Sequence, residues 1–365
     1  MPNPPRPATL KSMANALGIH VSTVSRVLNG DPAAVERAAS AEVVERIRAL
    51  AKELDYRPNT QASNLKLRKS QEICVLMPRL TDLVMATIYD SIDSAAEQAG
   101  YLTFVSNTDD RQPRQMARAE HALRRSVAGL IVGDSHVGNS QPLLDLLTRK
   151  HIPYVLVSRQ IAGHLVAGSD DELGGWLAAE HLYRQGFRDV AILAGERHAS
   201  TGADRTRGFT RFYREQGITL RPQWTLNGPF DSLTGHQQGE YLLGLDPRPQ
   251  AFFAVNDFLA IGLMGAARDK GLVPGKDIAV VGFNDIPLAN ELSVPLTSVR
   301  LPLAEMGQHA VQLLLQRIKG EACESVILTP QLQVRASSSL LVLVTAQPSS
   351  QASNRLCSGD CGPGA

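Results

Sequence analysis

Between residues 9 and 29 the apolar positions Leu10, Met13, Ala14 and Leu17 recur at helical spacing, Gly18 interrupts them, and Val24, Val27 and Leu28 then share one face. The pattern predicts two short helices joined by a tight glycine turn. A third helix is expected after Ser40, its cap, with Val43, Ile47, Leu50 and Leu54 turned inward. From residue 72 onward the period changes. Short β-rich runs (ICVLMP, YLTFVS, AGLIVG, PYVLVS, DVAILAG, QAFFAVN, DIAVVGF) alternate with helical stretches, which predicts βαβ units and parallel sheets. Roughly 270 residues exceed one such core, and the rhythm restarts near residue 170. Two α/β lobes are therefore expected, with ligands in a cleft beyond the carboxyl ends of the strands.

The 365 residues, 43% apolar and 20% charged, supply ample core material and exclude wholesale disorder or collagen-like repetition. A net charge of +1 speaks against a polyanionic partner only until it is divided. Residues 1–70 carry 11 basic and 6 acidic side chains, a net of +5, and the remainder is net −4. A basic end is a reason to look for nucleic acid or a membrane surface. The polar face of the second helix holds Val21, Ser22, Ser25, Arg26 and Asn29, and no acid occurs between residues 1 and 30. Such a face can approach a phosphate backbone and set Arg26 on a guanine edge. A helical hairpin whose polar face meets only water stays open beside it.

No run reaches the roughly 18 apolar residues of a membrane span, and the start MPNPPRPATLKS lacks a signal-peptide core, so a cytoplasmic protein with no membrane role is expected. Cys74 lies in an apolar run, Cys323 alone, and Cys357 and Cys361 in a Gly/Ser tail; neither a disulfide framework nor a zinc site follows. The nine histidines show no metal-ligand spacing, and no cofactor is expected. The string GDSH, residues 133–136, looks like the Gly-Asp-Ser of one esterase family. Adjacent Ser135 and His136 on a strand would point to opposite faces, so the string is read as a cleft-lining loop and no enzyme is expected.

The string STVSRVLNG (Ser22 to Gly30), preceded by the Ala14 to Gly18 turn and followed by LDYRPN (Leu54 to Asn59), resembles the helix-turn-helix headpiece of the lac repressor (LacI/GalR) family of bacterial transcription regulators. The resemblance covers residues 9–339. It implies that Val21, Ser22 and Arg26 read bases while Thr23, Ser25 and Asn29 hold phosphates. His20 stands where the family has a Ser cap, so it either contacts DNA or costs helix stability. A loop insertion of about five residues in DPAAVERAA separates Asn29 from Ser40. After Pro58, Asn59 can cap a short helix, Ala62 is small enough for two such helices to cross, and Leu65 is apolar beside Lys66. The resemblance makes this a hinge helix that pairs with its twin and wedges Leu65 into the minor groove.

The implied fold is α/β, an all-α headpiece joined to a two-lobed, periplasmic-binding-protein-like core of parallel sheets. The expected segments are a headpiece at 1–57, a hinge at 58–70, a core at 71–339 and a disordered tail at 340–365. Lobe 1 takes 71–168 with 301–323, and lobe 2 takes 169–300 with 324–339. Strings such as FFAVNDFLAIG and VVGFNDIPLA carry the core match. By resemblance, Arg205, Phe230, Asn256 and Asn284 contact an effector. For Arg205 a surface salt bridge to Asp204 is the alternative, and Asp257 is expected to cap the helix that follows Asn256. In the first lobe Met85, Ser158 and Arg159 are the corresponding positions, although relatives often show an aromatic pair where this chain has Val84-Met85 and an Asp where it has Ser158. The implied function is a homodimeric repressor on a pseudo-palindromic double-stranded operator, controlled by a sugar or sugar acid. A sugar-binding protein without a DNA role explains residues 72–339 equally well but leaves residues 9–69 idle.

Overall fold

The structure, a computed structural model, describes residues 8–29, 32–56, 70–138 and 141–339. It divides into two units, Met1–Gln71 and Glu72–Ala365. In the first, α1 (Leu10–Leu17) starts on a reciprocal cap: Ser12 N–H donates to Thr9 Oγ1 (3.0 Å) and Thr9 N–H donates to Ser12 Oγ (2.9 Å). Gly18 ends it at φ +64, a left-handed position that suits glycine. Then come α2 (Val21–Asn29), α3 (Pro32–Ala38) and α4 (Ala41–Glu53). Met13, Ala14, Val24, Val27 and Ile47 form the buried core, as the apolar spacing requires.

Three features differ from the sequence expectation. Within the DPAAVERAA insertion, residues 32–38 fold as α3 instead of a loop, with Pro32 at its first position, where a missing N–H costs nothing, and Val35 packed on the core. Leu54 is 43% exposed, because α4 stops at Glu53 and the chain turns away. Ser40 precedes α4 in extended conformation, yet its hydroxyl makes no capping bond. The expected hinge residues Asn59, Ala62, Leu65 and Lys66, and the tail 340–365, lie outside the described residues.

The second unit opens with β1 (Glu72–Met77), β2 (Leu102–Asn107), β3 (Gly129–Val132), β4 (Tyr154–Val157) and β5 (Val166–Ser169). Then follow β6 (Val190–Gly195), β7 (Thr225–Asn227), β8 (Ala251–Ala254), β9 (Ala279–Asn284), β10 (Thr297–Arg300), β11 (Val326–Leu328) and β12 (Gln331–Gln333). One sheet runs β11-β5-β4-β3-β1-β2 and is parallel throughout. The other runs β12-β10-β9-β8-β6-β7, parallel except at the β10–β12 edge. Helices cover both faces, so central strands such as β1 and β9 are buried along their length and read in sequence as unbroken apolar runs.

The lobe boundary shifts at one place. Val326–Leu328 pairs with Ala167–Ser169, so residues 324–328 belong to the first lobe and the chain crosses to the second at 329–330. Among the described residues no helix is long and apolar enough to cross a membrane. Cys74 is buried and Cys323 half-buried, both as free thiols.

Candidate functional site

On α2 the core face and the open face separate cleanly. Val24 and Val27 are buried, Val21, Arg26 and Asn29 are exposed, and Ser22, Thr23 and Ser25 lie between. His20, itself exposed, caps the helix in place of a hydroxyl. Its Nδ1 accepts from Ser22 N–H (3.2 Å) and lies 2.7 Å from Ser22 Oγ. A neutral ring that accepts at Nδ1 carries its hydrogen on Nε2.

In the core, cleft residues come from the carboxyl ends of the parallel strands and the helix starts beyond them, the position this topology reserves for ligands. Arg79 and Asp82 follow β1, Asp110 follows β2, Arg159 follows β4, Glu196 follows β6 and Phe230 follows β7. They line a cavity of about 240 Å³. Phe230 rests on Gly195, whose φ of +71 and missing Cβ make room for the ring; a Cβ there would collide with it. Asp82 caps the helix Leu83–Gln98 by accepting Val84 N–H (2.9 Å). Burial raises its pKa, partly offset by Arg205, Arg159 and Arg79.

Asp110 is the hub of the cleft. The Arg159 guanidinium grips it bidentately, Nη1 to Oδ1 at 2.6 Å and Nη2 to Oδ2 at 2.7 Å. His136 Nε2 meets Oδ1 at 2.9 Å and His198 Nε2 meets Oδ2 at 3.0 Å. Burial alone would raise its pKa, but the hydrogen bonds from His136, His198 and Arg159 outweigh that and hold the carboxyl well below the usual carboxylate range. His198 belongs to the second lobe, so the hub ties the lobes together. Two further bonds do the same: Val137 N–H donates to the His198 carbonyl (2.8 Å) and Gln160 N–H to Ser200 Oγ (2.8 Å). In the GDSH string, Ser135 Oγ donates to the Arg159 carbonyl (3.3 Å) while His136 faces Asp110, so the two neighbours diverge instead of pairing as nucleophile and base.

Of the effector positions named from sequence, two reach this cavity directly. Arg159 and Phe230 line it. Asn256 stands behind Phe230: its Oδ1 caps the helix Asp257–Asp269 by accepting Leu259 N–H (2.9 Å), and its Nδ2 donates to the Phe230 carbonyl (3.1 Å). The cap expected from Asp257 is thus supplied by Asn256. Asp257 instead accepts Ile286 N–H (2.8 Å) and Ser298 Oγ–H (2.6 Å), and burial pushes its pKa up to about 7. Arg205 is 4% exposed. Its Nε donates to Asp171 (2.8 Å), its Nη1 to the Val255 carbonyl (2.8 Å), and its guanidinium lies 3.9 Å over the Phe283 ring. Burial pushes Asp171 up to about 6 in spite of that pair. Asp204, the expected surface partner, binds Arg207 instead (2.6 Å).

Met85 is packed into the first-lobe core, and Ser158 is buried at φ +68 with its N–H on the Ala167 carbonyl (3.0 Å). Asn284 ends β9 at φ +101, its buried Oδ1 has no hydrogen-bond partner, and it lines a separate groove beside Arg300. Sequence reasoning missed Asp82, Asp110 and His198. Each lies just beyond the carboxyl end of a predicted strand, in LTDL, NTDD and GERH, and that position was the available signal.

Comparisons with known proteins agree with this architecture. Residues 9–59 match the family described as bacterial regulatory proteins, lacI family, and residues 179–338 match the periplasmic binding protein-like domain. The HTH-type transcriptional repressor PurR of Vibrio cholerae (strain M66-2) is 30% identical over 322 residues, which cover 87% of this chain and 93% of the relative. The lac repressor dimer bound to operator and the anti-inducer ONPF superposes with a TM-score of 0.81 at 27% identity, covering 92% of this chain and all of that one. A transcriptional regulator CelR–cellobiose complex gives a TM-score of 0.68 at 26% identity, covering 91% of this chain and all of that one. On the match of both parts, in this order and over nearly the whole length, the chain belongs to the lacI family of bacterial regulatory proteins.

Proposed function

We propose that this protein is a homodimeric, sequence-specific, cytoplasmic DNA-binding repressor, not an enzyme, whose operator affinity is set by a small carbohydrate-like effector in the interlobe cleft. The observation that carries this reading is the union, in one chain, of a helix-turn-helix unit with Arg26 exposed on α2 and a two-lobed core whose interlobe cavity is lined by charged side chains and the Phe230 ring. A PurR relative that is a repressor, and a lac repressor structure that is a dimer on its operator, support it. A two-fold dimer presents α2 twice and so fits a pseudo-palindromic operator. Arg26 supplies the fork that matches guanine O6 and N7, Val21 and Ser22 sit at base edges, Thr23, Ser25 and Asn29 serve the backbone, and His20 holds the start of α2 in place.

In the cleft, Phe230 covers the C–H face of a sugar while Asp82 and Glu196 accept its hydroxyls. The carboxylates of Asp82, Asp110, Glu196 and Asp231 outnumber the guanidinium groups of Arg79 and Arg159 in the wall, which favours a neutral sugar over a sugar acid. Asn284 Oδ1, buried without a partner, lies in the separate groove beside Arg300 and is an acceptor suited to a hydroxyl that reaches it there. An effector that touches both lobes stabilises one lobe arrangement and thereby shifts DNA affinity.

Deleting residues 1–69 tests the reading against the sugar-binding alternative. Retention on genomic DNA is expected to vanish, and unchanged retention overturns the repressor reading. Arg26→Ala is expected to cost about 1–3 kcal/mol on one palindrome and relax specificity at one base pair; an equal loss on every sequence removes Arg26 from base reading.

A further inference from the structure

We propose that Asp110, His136 and His198 form a binding site for one divalent transition-metal ion of the Zn²⁺ or Co²⁺ class, bridging the two lobes at the edge of the effector cleft. Among the described residues this is the one group of three or more His, Cys, Asp or Glu side chains whose ligand atoms all fall within 4.8 Å of one another. The linear sequence hides it, because the three residues lie on loops after three different strands and in two lobes.

The donor set suits such an ion. Two imidazole nitrogens and a carboxylate oxygen are the mixture that borderline cations take. His136 and His198 lie side by side with ring centroids 4.1 Å apart and planes 34° apart, both Nε2 atoms turned to the same carboxylate. Bond lengths near 2.1 Å and tetrahedral angles require ligand atoms about 3.4 Å apart. The Nε2–oxygen separations of 2.9 Å (His136 to Oδ1) and 3.0 Å (His198 to Oδ2) lie just inside that value, and because each ring faces a different oxygen the rings or the carboxylate must shift for one ion to take all three ligands. Glu196 Oε2 stands 3.8 Å from His198 Nε2 but outside the group whose ligand atoms all lie within 4.8 Å of one another, so it adds negative charge beside the ion and leaves the ion's remaining positions to water or an effector hydroxyl.

A carboxylate only accepts hydrogen bonds, so both Nε2 atoms carry hydrogens while they face Asp110. An ion takes the place of those hydrogens. A neutral ring moves its hydrogen to Nδ1, and a protonated ring releases its Nε2 proton to solvent. Arg159 is a positioning residue: its fork on the far side of Asp110 fixes the carboxylate while the oxygen edges facing the imidazoles stay available. Its positive charge opposes the ion, and the carboxylates of Asp110 and Glu196 offset it. Because His198 comes from the second lobe, occupancy would favour the lobe arrangement seen here. The ion site stands independently of the repressor reading; only its effect on DNA affinity rests on that reading.

The test uses the untagged full-length chain, stripped with EDTA and titrated with Co²⁺ while its visible d–d bands are followed, then with Zn²⁺ against a chromophoric chelator. One equivalent is expected to bind, with bands of tetrahedral or five-coordinate intensity. His136→Gln and His198→Gln are each expected to weaken binding by more than the about 10- to 100-fold that loss of a supporting partner costs. His236→Gln, at a His beside the exposed acids Glu240 and Asp269, is the control and should bind as wild type does. Far-UV circular dichroism verifies that each variant folds, and Glu196→Gln provides a third variant in the wall. Absence of a stoichiometric Co²⁺ band, or affinity unchanged in both His136→Gln and His198→Gln, overturns the site. Operator binding by the metal-free wild type, measured in parallel, tests the repressor reading separately.

Discussion

His20 is a side chain that stands in for the hydroxyl ordinarily found at a helix start. Its Nδ1 satisfies Ser22 N–H at the beginning of α2, one of the donors that a helix leaves without an internal partner. His20→Ala is therefore expected to cost about 1 kcal/mol in the headpiece, and His20→Ser, which restores a hydroxyl, to cost little. Hydrogen exchange at the Ser22 and Thr23 amides and operator affinity report the two effects. If both variants lose affinity equally while exchange is unchanged, the imidazole works on DNA and not as a cap. Arg205 shows the opposite kind of surprise. Its residue type suggested a ligand fork, but its Nε is taken by Asp171, its Nη1 by the Val255 carbonyl, and its guanidinium lies over the Phe283 ring. Arg205→Ala leaves a buried carboxylate unpaired and is expected to lower core stability by about 3–5 kcal/mol in urea unfolding. Weaker effector binding at unchanged stability would instead support direct contact. The open-face position of Arg26 and the cleft positions of Arg159 and Phe230 were legible because they follow local motifs. The Arg205–Asp171 pair and the Asp110 hub were not, because their partners are brought together only by the sheets.

At the scale of elements, periodicity was nearly sufficient. The strands are buried on both faces and announce themselves as apolar runs, and the headpiece helices follow from their spacing. Three details escaped it. The segment DPAAVERAA read as a loop insertion although Pro at a first helical position and the Ala-rich stretch after it favour α3. The antiparallel β12 and the sheet membership of β11 depend on a two-residue return that no pattern of polarity encodes. How closely the helices pack was also hidden. The helix Asp171–Arg184 crosses the helix Ser200–Glu215 at Gly175 and Gly208, where a Cβ on either would collide with backbone of the other. Gly175→Ala gains helix propensity, at most about 1 kcal/mol, but must push the Arg205 carbonyl away. A net destabilisation of about 1–3 kcal/mol is expected in denaturant unfolding. A stabilised variant would mean that the crossing can widen without strain.

For the whole molecule, the near-neutral total charge conceals a division of labour between a basic headpiece and a mildly acidic core. The core also carries an internal charge problem. Asp257, 0% exposed, accepts hydrogen bonds from Ser298 Oγ, Ile286 N–H and the Phe283 backbone, and its pKa rises to about 7 through burial, with Asp285 adding to the effect. In the unfolded chain it titrates near the ordinary value of about 3.9. Below that value both states hold the proton and Asp257 leaves stability unaffected. Between about 4 and 7 the folded state keeps a proton that the unfolded chain has released, so stability falls as pH rises through this window and levels off above it. Asp171, raised to about 6, acts in the same direction, and the lowered pKa of half-buried His181 acts against it. Comparing wild type with Asp257→Asn removes those shared contributions. The asparagine keeps an acceptor for Ile286 N–H and turns its amide to Ser298 Oγ. Its stability relative to wild type should therefore increase from pH 5 to pH 7 and then stay constant. Urea unfolding of both proteins across that range checks this, and parallel curves would show that Asp257 is ionised in the fold throughout.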